Sequence, residues 1–269
     1  MNLEILCQEV VSLAKEAGAF IKTEAGKFKA DRIEFKGLND MVSYVDKSSE
    51  VMIVKRLEEL LPEAGFITEE KTIAKVGERY NWVIDPLDGT TNFIHGLPIY
   101  SVSIALKEYE ELILGVVYEI NLDECFYAWK DAPAYLNGNK IHVSAKPTVS
   151  ESLIATGFPY YNFDKGDAYM DLFKDLMQSC HGLRRLGSAA VDLVYTACGR
   201  FDAFYEYNLN DYDMAAGIII VKQAGGQVFD FAGGENMLKT RDVIATNGKV
   251  GEELLGKVER YFSAKNVNK

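Results

Sequence analysis

Apolar side chains recur at Leu3, Leu6, Val10, Leu13, Ala14, Ala17 and Ile21. This three-to-four spacing marks one helix face and predicts a long amphipathic helix over residues 3–24. Residues 31–36 alternate instead, with Ile33 and Phe35 against Arg32, Glu34 and Lys36, and read as a short strand. Helical spacing returns at Val51, Ile53, Val54, Leu57 and Leu60, from about residue 47 to residue 61, with Asp46 or Ser48 placed to cap that helix. Pro62 and Gly65 break it. Gly65-Phe66-Ile67-Thr68 is a short strand with Glu69-Glu70 at its end; adjacent side chains on an extended chain point opposite ways, so at most one of these acids shares a site with later ones.

Trp82-Val83-Ile84 reads as the end of a buried strand. Residues 100–106, 113–120 and 125–129 are rich in β-branched and aromatic side chains, and Asn137-Gly138 signals a hairpin turn, so an antiparallel meander is expected. Past Lys146-Pro147 strands and helices alternate: strands at 153–156, 183–186, 201–207 and 227–231, and helices at 167–180, from Ser188 to Cys198, and from Asp213 onward. Met214 to Val221 is apolar all round, which marks a buried helix, and Asp213 stands at its start, where an acid serves as a helix cap. The expected organisation is an α+β unit over residues 1–146 and a smaller α/β unit over 147–269, with a frayed tail from Ser263.

Composition narrows the functional classes. The 269 residues carry a formal net charge of −11, which argues against nucleic acid and anionic membranes as partners. No run of 18 or more apolar residues occurs, and the opening Met1-Asn2-Leu3-Glu4 lacks the pattern of a signal peptide, so no membrane insertion and a cytoplasmic location are expected. Cys7, Cys125, Cys180 and Cys198 form no CxxC pair and read as reduced thiols.

Against that acidic background the stretch Asp85-Pro86-Leu87-Asp88-Gly89-Thr90-Thr91-Asn92-Phe93 carries the chemistry. Pro86 ends regular pairing, Gly89 permits a sharp bend, and Thr90 to Phe93 read as the first turn of a short helix. Two carboxylates at a strand end, just before a helix N-terminus, suit hard cations bridged to a phosphate, although Asp, Pro and Gly are also ordinary turn residues. Glu70, Asp85, Asp88 and Asp213 brought together would repel strongly, a cost that divalent metals remove.

The sequence resembles the inositol monophosphatase family. The matching pieces are residues 82–93 and Tyr212-Asp213-Met214-Ala215-Ala216-Gly217, with Gly225-Gly226 downstream. Further matches are Val45-Asp46-Lys47, Thr68-Glu69-Glu70 and residues 185–193. Thr68 stands where the family usually has Gly, and Tyr212 where it usually has Trp. The resemblance implies a layered α/β/α/β/α sandwich with an antiparallel first sheet, and hydrolysis of a phosphomonoester with two or three Mg²⁺ ions. It implies Glu70, Asp85, Asp88, Asp213 and the Leu87 carbonyl as metal ligands. Thr90 and Asp46 match a pair that activates the attacking water, with Glu70 beside them. Gly89 and Thr90 match the phosphate turn, and Ala189 and Glu206 match inositol-ring contacts. A small phosphorylated polyol is the expected substrate and a homodimer the expected assembly. Thr91-Asn92-Phe93 favours inositol phosphate. The alternatives within the superfamily are adenosine 3′,5′-bisphosphate, fructose 1,6-bisphosphate, histidinol phosphate and an inositol phosphate lipid head group. A non-catalytic binding protein is the alternative outside it.

Overall fold

The first helical spacing forms α1 (Leu3–Ala25), capped by the Asn2 side chain and burying Leu6, Val10, Leu13, Ala17 and Ile21. The structure, a computed structural model, describes residues 1–27, 33–37, 40–159 and 163–263. Residues 31 and 32 of the expected first strand and the tail beyond 263 lie outside these. A hairpin, β1 (Ile33–Gly37) and β2 (Asp40–Ser43), leads into α2 (Tyr44–Leu60). α2 starts three residues earlier than its apolar spacing suggests, because β2 runs straight into it. Asp46 therefore lies within the first turn and is not the cap. Val51 faces solvent, while Asp46, Ser49 and Glu50 are buried alongside Ile53, Val54 and Leu57.

Seven strands follow in one sheet: β3 (Gly65–Thr68), β4 (Tyr80–Asp88), β5 (Ser101–Glu108), β6 (Glu111–Glu119), β7 (Glu124–Trp129), β8 (Tyr135–Leu136) and β9 (Asn139–Lys140), with the short α3 (Thr90–His95) between β4 and β5. From β4 onward the pairing is antiparallel, and the Asn137-Gly138 turn joins β8 to β9. β3 pairs parallel with β4, because residues 69–79 return the chain to the end of the sheet where β3 began. The β4–β5 register slips between Asp85 and Asp88, which face Ser103 and Ser101. The extra residue is a bulge, and it falls where Pro86 has no N–H to give.

The second sheet has the order β11-β10-β12-β14-β13. Its elements are β10 (Leu153–Thr156), α4 (Gly166–Ser179), β11 (Gly182–Arg184), α5 (Ala189–Ala197), β12 (Ala203–Tyr207), α6 (Asp211–Gln223), β13 (Gln227–Phe229), α7 (Met237–Thr240), β14 (Asp242–Thr246) and α8 (Gly251–Ser263). β11, β12 and β13 are shorter than the apolar runs that foretold them, and β14 and α8 had no counterpart in the sequence reading. α1 and α2 cover one face of the first sheet. α5 and α6 fill the space between the two sheets, and α4 and α8 cover the far side of the second. The result is the expected α/β/α/β/α sandwich. Its central layer is the apolar one: Ala190, Leu193, Val194, Ala197, Met214, Ala216, Ile218 and Ile220 are all buried between the sheets.

That layer aims both α5 and α6 at the end of β4, so it sets the site's geometry as well as the fold's stability. Leu193→Ala, at a fully buried position against α6, is expected to cost about 2–5 kcal/mol in urea unfolding. A loss below about 1 kcal/mol, the scale of an ordinary surface substitution, would mean that this interface is not packed as described.

Candidate active site

The bulge at the end of β4 turns Asp85 and Asp88 into one cavity. It encloses about 930 Å³, its open mouth included. Asp85 is buried, and its Oδ1 accepts the Leu87 N–H at 3.0 Å, which fixes the turn through Pro86. Burial first, and then Glu69, Asp88 and Asp213, hold its carboxyl well above the ordinary carboxylate range. Asp88 reaches across to the second half of the chain. Its Oδ2 accepts the Ser188 hydroxyl and the Ala190 N–H, the latter at 2.8 Å. Ser188 is the N-cap of α5, as its sequence position suggests, so Asp88 sits at that helix's positive end. Burial raises Asp88 too, and the donors on α5 oppose the rise.

Asp213 is the third residue of α6 and not its cap, which is Asn210. Its Oδ2 accepts the Asn210 N–H at 2.6 Å in a capping box. Asp213 thus serves the helix start from inside its first turn, as the partner of the cap, and the same carboxylate also lines the cavity. Burial lifts its pKa, partly offset by Asn210.

Thr90 opens α3 after Gly89, whose φ of 93° is a left-handed conformation that favours glycine. The Thr90 Oγ1 lies 3.0 Å from Asp46 Oδ1 and 3.0 Å from the Leu87 carbonyl oxygen. Asp46, fully buried on α2, thus stands behind Thr90 and not in the cavity wall. On the opposite wall Ala189 begins α5 and Glu206 is the next-to-last residue of β12. Burial pushes Glu206 up to about 8, and Arg185 pulls the other way. Glycine at 157 makes room for it, since a Cβ there would fall 2.0 Å from the Glu206 carboxylate.

One sequence assignment is corrected. Glu70 is not among the residues lining the cavity; Glu69 is, and its carboxyl bonds to that of Asp85. The Glu69 N–H continues the strand pairing to the Ile84 carbonyl at 3.3 Å, which keeps Glu69 beside Asp85. The Glu70 N–H turns away to the Glu50 carboxylate. Adjacent side chains on the extended chain point opposite ways, so with Glu69 turned inward Glu70 is turned out.

Three further residues of the matching motifs line the cavity, without a role read for them from the sequence. Arg185 stacks over Phe158 at 4.7 Å and brings a positive charge towards Asp88, Asp192 and Glu206. Tyr212 lines the wall next to Asp213. Asp192 is buried in the same wall, and its Oδ1 has no hydrogen-bond partner among the described residues. A charged residue inside the otherwise apolar α5 was the available signal for it. Of Thr91-Asn92-Phe93 only Thr91 lines the cavity. Asn92 is buried and donates to the carbonyls of Ile99 and Leu186 at 2.7 and 2.9 Å, and Phe93 packs edge-on against Tyr100.

Among the described residues no three His, Cys, Asp or Glu side chains are drawn up as a preformed metal cage. The donor set nevertheless fits hard divalent cations. Glu69, Asp85, Asp88 and Asp213 offer carboxylate oxygens around one cavity, and burial without added positive charge drives Asp85, Asp88 and Asp213 towards their protonated forms.

Comparison with known proteins agrees with this geometry. A sequence model of the inositol monophosphatase family matches residues 2–262. An inositol-1-monophosphatase of Mesorhizobium japonicum is 34% identical over 98% of this chain and 100% of its own length. The Nus factor SuhB of Escherichia coli is 38% identical over 94% of this chain and 95% of its own. An IMPase of Thermotoga maritima superposes with a TM-score of 0.86 at 34% identity, covering 95% of this chain and 97% of that one. The fold is that of a phosphatase, and the chain belongs to the inositol monophosphatase family. No helix among the described residues is long and apolar enough to cross a membrane.

Asp192 makes the electrostatic description testable. Burial first, then Glu206 and Asp88, raise its pKa well above 3.8. The folded state then keeps a proton that the unfolded state has released, so this group's contribution to stability is full below the ordinary value and declines as pH rises through the folded one. For metal-free protein, Asp192→Asn is expected to raise Tm above the parent's at pH 8, with the gap narrowing towards pH 4. A variant no more stable than the parent at pH 8 would contradict a buried, unpaired acid.

Proposed function

We propose that this chain hydrolyses the phosphomonoester of a small polyol, with a myo-inositol phosphate as the leading substrate, using two or three Mg²⁺ ions. The observation that carries the reading is the Thr90–Asp46 pair, 3.0 Å apart and set directly behind the cavity's acids. With the Thr90 hydroxyl donating its hydrogen bond to Asp46, its lone pairs are free to accept a hydrogen bond from a water on the cavity side, orienting that water towards a phosphorus. Glu69, Asp85, Asp88, Asp213 and the Leu87 carbonyl would hold the cations. Divalent ions there supply the positive charge that neutralises phosphate oxygens and lowers the pKa of water. Gly89, Thr90 and Thr91 line the cavity at the start of α3, where helix N–H groups have no intrahelical partner, and would receive the phosphate.

On the far wall Glu206, Ala189, Asp192 and Arg185 would meet the alcohol part of the substrate. Carboxyl groups there favour a partner rich in hydroxyl donors. This supports a polyol over adenosine 3′,5′-bisphosphate or histidinol phosphate; fructose 1,6-bisphosphate and an inositol phosphate lipid head group also carry several hydroxyls, and all four remain the alternatives. The retained acids speak against a non-catalytic binding protein. A Nus-factor role alongside hydrolysis is a second reading, favoured by the higher identity to the SuhB relative than to the phosphatase named above. The net charge of −11 gives it no support as a direct grip on nucleic acid. A homodimer in the cytoplasm is the proposed setting.

The test is phosphate release, with Mg²⁺ titrated, across inositol 1-phosphate, the four alternative substrates and p-nitrophenyl phosphate. Turnover of inositol 1-phosphate is expected to lead, and activity that ignores Mg²⁺ would overturn the reading. Assayed at pH 9, where Glu206 with its pKa pushed up to about 8 is ionised, Glu206→Gln should lower kcat/KM for inositol 1-phosphate about ten- to hundredfold, the scale of one hydrogen bond to a charged acceptor, and barely change p-nitrophenyl phosphate hydrolysis. Equal losses on both substrates would make Glu206 a support of the metal site instead.

In the same assay Glu69→Gln is expected to raise the Mg²⁺ requirement sharply and Glu70→Gln to leave it close to the parent's. The reverse order would restore Glu70 as the ligand.

A further inference from the structure

Glu50 stands one turn beyond Asp46 on the buried face of α2 and is fully buried. Both of its carboxylate oxygens are engaged. Oε2 accepts the Glu70 N–H at 2.8 Å; Oε1 accepts the Thr72 N–H at 2.8 Å and the Thr72 hydroxyl at 2.7 Å. All three donors belong to the segment 69–79, which contains neither helix nor strand. Lys71 between them has a φ of 54°, the left-handed conformation that carries the chain round so that Thr72 returns to the carboxylate that already holds Glu70. Beside Glu50, the Ser49 hydroxyl donates to the Pro86 carbonyl at 3.4 Å, inside the β4 bulge. One face of α2 thus meets three parts of the site: Thr90 through Asp46, the bulge through Ser49, and the acidic segment through Glu50.

A buried carboxylate is costly unless it is hydrogen-bonded, and bonds to a charged acceptor are about twice as strong as neutral ones. Three such bonds to two residues of an otherwise irregular segment fix its main chain. The consequence falls on the residue just before them. Glu69 and Glu70 project to opposite sides of an extended backbone, so the orientation of the peptide at residue 70 decides which acid enters the cavity.

We propose that Glu50 is a positioning residue: by gripping the backbone at Glu70 and Thr72 it selects Glu69 over Glu70 as the acid presented to the metal-binding cavity. The proposal rests on the reading of that cavity as a divalent-metal site. It is tested on the full chain by two measurements, calorimetric Mn²⁺ binding and amide hydrogen exchange, on Glu50→Gln, Thr72→Val and the reference variant Asp85→Asn. Glu50→Gln removes one acceptor oxygen and the charge. It is expected to speed exchange at the amides of residues 70–72 and to weaken Mn²⁺ binding, each about tenfold or more, the scale of a charge-assisted hydrogen bond. Thr72→Val loses only the hydroxyl bond and is expected to shift both readings in the same direction by less, with the fold intact.

Faster exchange at residues 70–72 with Mn²⁺ affinity within twofold of the parent would overturn the proposal. So would exchange that rises evenly through β4, β5 and β6, since Glu50 would then support the fold in general. Asp85→Asn separates the two levels of the argument. If it abolishes Mn²⁺ binding while Glu50→Gln and Thr72→Val do not weaken it, only the positioning role falls. If Asp85→Asn leaves Mn²⁺ binding unchanged, the metal reading itself fails and takes the positioning role with it.

Discussion

Among the described residues six carboxyl groups, Glu69, Asp85, Asp88, Asp192, Glu206 and Asp213, share one cavity with a single arginine. Taking so many acids out of water is the constraint under which the rest of this structure is built. Burial raises the carboxyl pKa of Asp85, Asp88, Asp192, Glu206 and Asp213, neighbouring acids add to the rise at Asp85, Asp192, Glu206 and Asp213, and no apolar packing cancels that repulsion. The protein meets it locally with main-chain donors and helix ends: the N-terminus of α5 receives Asp88, the start of α6 receives Asp213, and the Leu87 N–H receives Asp85. The remainder is what bound cations would offset.

The sandwich delivers these donors. α5 and α6 lie between two sheets because they are apolar on nearly every face, and from that position both point their N-termini at the end of β4. The β4 bulge supplies the complementary half by turning Asp85 and Asp88 towards them. Asn92 bridges the two halves through the Ile99 and Leu186 carbonyls, just ahead of the Gly187-Ser188 turn that starts α5. Stability and site geometry therefore draw on the same contacts.

The long motifs made the family and the layered architecture legible, because a buried strand, a Pro-Gly turn and an all-apolar helix each leave a local trace. What escaped was set by distant partners. Whether Glu69 or Glu70 faces inward depends on Glu50, some twenty positions earlier in the chain. Asp46 read as a cap because the apolar spacing of α2 begins late, whereas the helix begins at Tyr44, directly after β2. β3 gave no sign of running parallel to β4, since strand direction is a property of the connection and not of the strand. Arg185 and Asp192 showed only as charges in a matching motif, and their place in the wall appears once α5 is docked.

The capping box of α6 has a consequence for how the chain comes to be made. Asp213 is the last of the cavity's acids in chain order, and Asp85 and Asp88 precede it by more than a hundred positions. During synthesis from the N-terminus the first sheet is complete long before α5 and α6 leave the ribosome. In that interval its two aspartates still face water, and the crowding of charge is deferred until the central helices close over them. The unfavourable electrostatics thus arrive as the apolar layer between the sheets is buried, at a step able to offset them. A nascent chain stopped short of α6 would be an acidic half-sandwich with an uncovered sheet, poor at holding metal and prone to association.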